Sequence, residues 1–185
     1  MIIYIHGFGS CGEGSKAKEL KKYFNSIGED FISPSLSYVP ELAIKTLEEL
    51  ILSYKSDVKL IGSSLGGYYS IFLSNKFNLK SVLINPSIEP FITLDKMIGQ
   101  GINYYDNSLY EWNKQHIEML KEYITDLEPY KEENFLLLLQ KGDDLLDYKE
   151  AIKKLPSSKI ILENNGSHKF EGIERYFKKM SKWLK

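Results

Sequence analysis

The 185-residue sequence has one cysteine, Cys11, one arginine, Arg175, and three histidines, His6, His116 and His168. A single cysteine excludes an internal disulfide and suits a reducing compartment. Net charge is −1, from 24 Lys and Arg against 25 Asp and Glu, and the positive charge is nearly all lysine. Such a balance gives no field that would gather nucleic acid or an anionic membrane. No apolar run approaches the roughly 20 residues of a spanning helix. Met1 leads straight into a short strand-like run with no basic segment ahead of a long apolar stretch. Neither a signal peptide nor a membrane span is expected, and the expected setting is cytoplasmic. No internal repeat or low-complexity tract stands out, and no metal site is expected. What the chain does have is a 43% hydrophobic and 26% charged composition, ordinary for a globular protein. Its length suits one domain over residues 1–185.

Six short apolar runs read as strands: Ile2–His6, Asp30–Ser33, Val58–Gly62, Ser81–Asn85, Phe135–Gln140 and Lys159–Glu163. Most are continuous in Val, Ile and Leu, as parallel strands covered on both faces require. Amphipathic segments alternate with them. Ala17, Leu20, Phe24 and Ile27 share one helical face before Gly28; Ile44, Leu47, Ile51 and Tyr54 do so after Pro40; Ile173, Phe177, Met180 and Leu184 form the last stripe. The alternation predicts an α/β fold, a mostly parallel sheet of about six strands with helices on both faces. One stretch, at about 86–133, breaks the rhythm and reads as a small helical insertion, a lid or a cover. In it Leu109, Trp112, His116, Met119 and Tyr123 are spaced as one face of a helix, and a shorter helix is expected around Phe91–Ile98.

His6-Gly7-Phe8-Gly9-Ser10-Cys11-Gly12-Glu13-Gly14-Ser15-Lys16 follows the first strand. Its glycines imitate two nucleotide signatures, and both fail in their second half. Ser15-Lys16 reverses the Lys-Ser/Thr order of a P-loop. Glu29 and Asp30 stand at the beginning of the second strand, whereas a dinucleotide site wants its acid at the end.

Gly62-Ser63-Ser64-Leu65-Gly66 lies between a strand and a helix and spells G-x-S-x-G, the nucleophile elbow. A serine there needs a base. His168, in the loop after the last strand, falls at the same carboxyl edge of the sheet, where open α/β sheets bind ligands. His116 sits on the apolar face of the insertion and reads as packing, and His6 as a loop anchor. Gly142-Asp143-Asp144-Leu145-Leu146-Asp147 follows the penultimate strand and offers three carboxylates. Asp143 lies nearest the strand end, and Asp147 precedes a helix and reads as its N-cap. The order Ser, Asp, His is that of α/β-hydrolases. The glycine loop then has a role: the N–H groups of Phe8 and Leu65 are placed to stabilise a tetrahedral oxyanion. Gly7, Tyr68, Phe91 and Trp112 are expected to contribute to substrate binding.

At these residues the sequence resembles the small YqiA-like esterases of the α/β-hydrolase superfamily. The resemblance rests on Tyr4-Ile5-His6-Gly7-Phe8, Gly62-Ser63-Ser64-Leu65-Gly66-Gly67-Tyr68 and Asn85-Pro86-Ser87-Ile88-Glu89-Pro90-Phe91. It continues in His116-Ile117, Gly142-Asp143-Asp144-Leu145-Leu146-Asp147-Tyr148 and Gly166-Ser167-His168-Lys169-Phe170. It implies a serine esterase acting on small acyl esters or thioesters through Ser64, Asp143 and His168, without a cofactor. It does not carry a natural substrate or an oligomeric state. A peptidase or amidase on the same residues, and a non-catalytic binding protein on the same fold, are the competing expectations.

Overall fold

In the computed structural model, which describes residues 1–54, 57–123 and 131–185, the six expected strands form one sheet. They are β1 (Ile2–Ile5), β2 (Phe31–Ile32), β3 (Lys59–Ser63), β4 (Ser81–Ile84), β7 (Phe135–Gln140) and β8 (Lys159–Glu163), while β5 (Gly99–Ile102) and β6 (Leu109–Trp112) form a separate hairpin. The order is β2-β1-β3-β4-β7-β8, every pair parallel. The strands are short and their apolar runs continuous because both faces are covered. Ile2 and Tyr4 pack on one face with Leu136 and Leu138, and Ile3, Ile5, Leu137 and Leu139 point to the other. Each fully buried leucine is worth about 1.5–3 kcal/mol against exposure.

Helices α1 (Ser15–Ser26) and α7 (Phe177–Leu184) supply Ala17, Leu20, Phe24, Phe177, Met180 and Leu184 to the first face. Helices α2 (Pro40–Ser53) and α3 (Leu65–Phe77) cover the other, together with α6 (Tyr148–Lys154) at the β7 side. Ile27 is a departure from the expected face: helix α1 ends before it, and its side chain is exposed. Gly28, at φ +78°, turns the chain there, so the stripe stops one turn early.

The segment between β4 and β7 differs more from its sequence reading. A short helix α4 (Pro90–Thr93) and a 3-10 turn (Leu94–Met97) occupy the region expected to be helical. Beyond it, β5 (Gly99–Ile102) and β6 (Leu109–Trp112) form an antiparallel hairpin, and only then comes α5 (Lys114–Lys121). The helix expected to carry Leu109 and Trp112 therefore does not begin until Lys114. Asn113 stops it: its side chain accepts from the Gln115 and His116 N–H groups, and His116 Nδ1 accepts from the Asn113 N–H, a closed capping box. In the four-residue strand the two ends point to opposite faces, so Trp112 is buried and Leu109 exposed, whereas the helical spacing puts both on one face. The part of the expected insertion at 124–130 lies outside the described residues.

Candidate active site

The parallel order brings the carboxyl ends of β1, β3, β7 and β8 to one edge, with β4 between β3 and β7. At β3 the chain turns at Ser64 with φ +55° and ψ −121°, a region L-residues avoid. Two glycines permit that turn. A Cβ on Gly62 would stand 2.3 Å from the Gly66 carbonyl oxygen, and one on Gly66 2.0 Å from that of Ile5. The Ser64 carbonyl accepts from the Gly67 and Ser87 N–H groups at 2.8 and 3.0 Å, which holds the strained turn on both sides.

Ser64 Oγ lies 3.0 Å from His168 Nε2, and His168 Nδ1 lies 2.8 Å from Asp143 Oδ2. The carboxylate can only accept, so the ring proton sits on Nδ1, and Nε2 is free to accept from the serine hydroxyl. The Asp143 side chain is 2% exposed. Its Oδ1 also accepts from the Leu145 and Leu146 N–H groups, both at 2.9 Å. Burial pushes the Asp143 carboxyl up, but the bonds from His168 and the two N–H groups outweigh it and hold it below the usual carboxylate range. The other two acids of this turn stand apart. Asp144 is exposed, and Asp147 caps α6 through the Lys149 N–H at 3.0 Å.

Two buried amides that the sequence reading did not single out as site residues fix the histidine loop. Asn85, at the end of β4, donates to the Ser167 and His168 carbonyls and accepts from the Gln140 N–H. Gln140, at the end of β7, accepts through Oε1 from the Ser167 and Glu171 N–H groups and donates to the Glu171 carbonyl. A buried, unpaired backbone group costs about 1–3 kcal/mol, so these side chains hold the loop in one path. Gly142 and Gly166 let the acid turn and the histidine loop touch backbone to backbone: a Cβ on Gly142 would lie 2.2 Å from the Gly166 carbonyl oxygen. A polar residue at the end of an apolar strand was the only sequence signal for Asn85 and Gln140.

The glycine loop is tied down by its own groups. His6 Nδ1 donates to the Gly7 carbonyl, and Nε2 accepts from the Leu36 N–H at 3.0 Å. Burial lowers its pKa, which favours the neutral ring this pattern needs. The Gly12 N–H donates to Ser35 Oγ and the Gly14 N–H to the Cys11 carbonyl. Lys16 donates to Ser63 Oγ at 2.8 Å. The N–H of Leu65 opens helix α3, where first-turn donors have no intrahelical acceptor. Among the described residues, neither it nor the Phe8 N–H has a backbone partner.

Beside these two donors is a cavity of about 280 Å³. Its walls are the loop from His6 to Ser10, the segment Leu36–Tyr38, Leu65 and Tyr69 of α3, and hairpin residues Asn103 and Ser108–Tyr110. Of the residues expected to bind substrate, Gly7 lines it, as does Phe8, expected as an oxyanion donor. Tyr68, Phe91 and Trp112 do not. Tyr68 is buried, with its hydroxyl on the Leu120 carbonyl, and holds the cap to α3; Trp112 is buried, with Nε1 on the Leu94 carbonyl, a bond within the cap. Phe91 packs at the edge of the same core. His116 is a capping residue between the Trp112 and Tyr38 rings, 5.0 and 5.7 Å between centroids. Among the described residues no three His, Cys, Asp or Glu side chains cluster as a metal cage.

The match that decides the family spans residues 1–185 and is to the family described as "Uncharacterised protein family (UPF0227)". The chain belongs to UPF0227. Its relatives include the UPF0227 protein YcfP of Salmonella paratyphi A, 23% identical over 185 residues, covering 97% of this chain and 96% of that one. Among solved structures, a putative hydrolase from Agrobacterium vitis S4 superposes with a TM-score of 0.81 at 16% identity, covering 100% of this chain and 87% of the other. Mouse alpha/beta hydrolase domain-containing protein 10 gives 0.78 at 16% identity, covering 99% and 88%. At that identity the likeness establishes the fold, which is the α/β-hydrolase fold. No described helix of this UPF0227 member is long and apolar enough to cross a membrane.

Proposed function

We propose that this protein is a serine hydrolase that cleaves carboxylic esters or thioesters of small molecules through an acyl-enzyme. The observation that carries the reading is the unbroken hydrogen-bonded chain Ser64–His168–Asp143, 3.0 Å and 2.8 Å link by link, at a strained elbow. Hydrolase neighbours of the same fold support it.

His168 Nε2 takes the Ser64 proton as Oγ attacks the acyl carbonyl, and the ionised Asp143 stabilises the imidazolium that forms. The tetrahedral oxyanion meets the Phe8 and Leu65 N–H groups, fixed dipoles that need no reorganisation as charge develops. The imidazolium returns its proton to the departing alcohol or thiol, leaving the acyl group on Ser64. Water, deprotonated by the same nitrogen, then attacks the acyl-enzyme, and collapse of the second intermediate releases the acid and restores Ser64. None of these steps calls on a cofactor. The single, buried, free cysteine suits a cytoplasmic setting.

The test is labelling by a fluorophosphonate probe, followed by turnover of matched ester, thioester and amide substrates. Ser64 should be labelled, and Ser64→Ala should be folded, unlabelled and inactive. A folded wild type that takes no label at Ser64 and cleaves none of the panel would make this a binding protein. Preferential cleavage of the amide would make it an amidase on the same residues.

A further inference from the structure

The cavity beside Phe8 and Leu65 has a size, a lining and a position that together select one part of a substrate. Its position comes first. It touches Phe8 and Leu65, which carry both oxyanion donors, and Gly7, which lies against Ser64, but neither Ser64 itself nor His168. In acyl transfer the leaving group must lie next to the base that reprotonates it, so a space beyond the oxyanion donors and away from His168 faces the acyl side. Its volume, about 280 Å³, is at the lower end of the roughly 300–1,000 Å³ typical of small-molecule clefts. No Asp, Glu, Lys or Arg lines it. A charged acyl group there would lose hydration with no Asp, Glu, Lys or Arg to offset its charge.

One wall residue sets the limit. Tyr110 stands opposite Gly101 in the hairpin register, and its ring lies on that glycine: a Cβ on Gly101 would be 2.4 Å from two ring carbons. The same ring meets Phe8 edge-on at 5.7 Å and stacks on Tyr38 at 5.1 Å. Contacts from three separate segments hold it in place. The hairpin that carries it is docked on the glycine loop, with the Tyr104 N–H donating to the Gly9 carbonyl at 2.8 Å and the Asn103 amide to the Ser10 carbonyl at 3.2 Å.

We propose that this cavity is the acyl subsite, that it takes a compact, uncharged acyl group, either a short aliphatic chain or a single aromatic ring, and that Tyr110 sets its depth. This rests on the serine-hydrolase reading above and adds a substrate class to it.

The experiment uses p-nitrophenyl esters, which share a leaving group and differ only in the acyl part: acetate, butyrate, octanoate, palmitate, benzoate and the hemiester of succinate. Wild type should favour butyrate or benzoate, with kcat/KM at least about tenfold lower for palmitate and for the anionic succinate hemiester, as pocket mismatches of this kind give. Tyr110→Ala should raise the octanoate-to-butyrate ratio of kcat/KM about tenfold. Gly101→Ala, which pushes the Tyr110 ring into the cavity, should move the ratio the opposite way. If Tyr110→Ala loses its far-UV circular dichroism, Tyr110→Leu, which keeps an apolar contact with Phe8, carries the same expectation. A wild type indifferent to acyl length or charge, or folded variants at both positions with unchanged ratios, would overturn the proposal while Ser64 labelling still stood. Loss of Ser64 labelling in wild type would instead remove the reading beneath it.

Discussion

The Asn85 side-chain amide donates to the His168 main-chain carbonyl at 3.3 Å and to that of Ser167 at 3.0 Å, across 83 and 82 residues of sequence. Asn85 ends the strand that lies between those of Ser64 and Asp143, so it is placed to tie the loop of His168 to the middle of the sheet. Its φ of +38° is one that asparagine tolerates better than most residues. Asn85→Ala should therefore cost stability, about 1–3 kcal/mol for each buried group left unpaired. It should also lower kcat by about 10–100-fold, as loss of an orienting partner does at other sites. Urea unfolding and steady-state kinetics on one ester measure the two effects. An Asn85→Ala variant with wild-type kcat would show that the loop holds His168 without it.

Asp143→Asn should leave the fold intact and lower turnover by up to about 10⁴-fold, because an amide favours the wrong imidazole tautomer. Asp147→Asn should be mild, since asparagine caps a helix as well as aspartate does, and Asp144→Asn should be silent. Kinetics on the three variants check the register of the turn. A crippled Asp144→Asn or Asp147→Asn would assign the acid elsewhere.

Asp143 also links stability to acid. Its folded pKa lies below the ordinary carboxylate value because the His168 and main-chain bonds outweigh its burial. The stabilisation is present above that ordinary value and is lost as pH falls through the lowered one. Wild type should consequently lose stability more steeply than Asp143→Asn between about pH 5 and pH 3. Denaturation midpoints across that window should diverge with rising pH, and parallel curves would show that the carboxylate is not held in its ionised form.

Lys16 gives a pH dependence of the same sign in the alkaline range. Burial pushes its ammonium down to about 8, against the upward pull of Glu19 on its own helix and of Asp143 across the site. Ser63 Oγ accepts from it. Between about pH 8 and the ordinary lysine value of 10.5, the unfolded chain binds a proton that the folded chain does not, so stability rises with pH. Relative to Lys16→Met, wild type should gain stability between pH 8 and pH 10. Urea midpoints at both pH values test this, and equal differences at the two would show that the amine titrates normally.

Gly66→Ala should abolish the fold or the elbow. The new methyl would fall 2.0 Å from the Ile5 carbonyl oxygen, a main-chain atom in the centre of the sheet that cannot move aside. Soluble expression and the near-UV spectrum measure the outcome. A folded, active Gly66→Ala would mean that β1 and α3 can separate at no cost.

The strands, their parallel arrangement and the elbow were legible in the sequence because each is a local signal. Continuous Val, Ile and Leu runs report burial on both faces. Glycines two residues either side of Ser64 report a close approach. The order Ser, Asp, His needs only the chain to be written down. The hairpin at Gly99–Trp112 was not legible, because Leu109 and Trp112 continue the helical spacing of the residues that follow them, and Asn113 decides where the helix begins. Among the three clustered acids the sequence favoured Asp143 by its place nearest the strand end, and the structure brings Asp143 to His168 while Asp147 caps α6. Tertiary structure alone assigned Asn85, Gln140 and Lys16 their partners, and it replaced Tyr68, Phe91 and Trp112 with Leu36, Tyr38 and Tyr110 as cavity walls. Local chain chemistry sets which residues can turn, cap or be buried. Which of them meet across the carboxyl edge depends on contacts between segments far apart in sequence, and no periodicity encodes those.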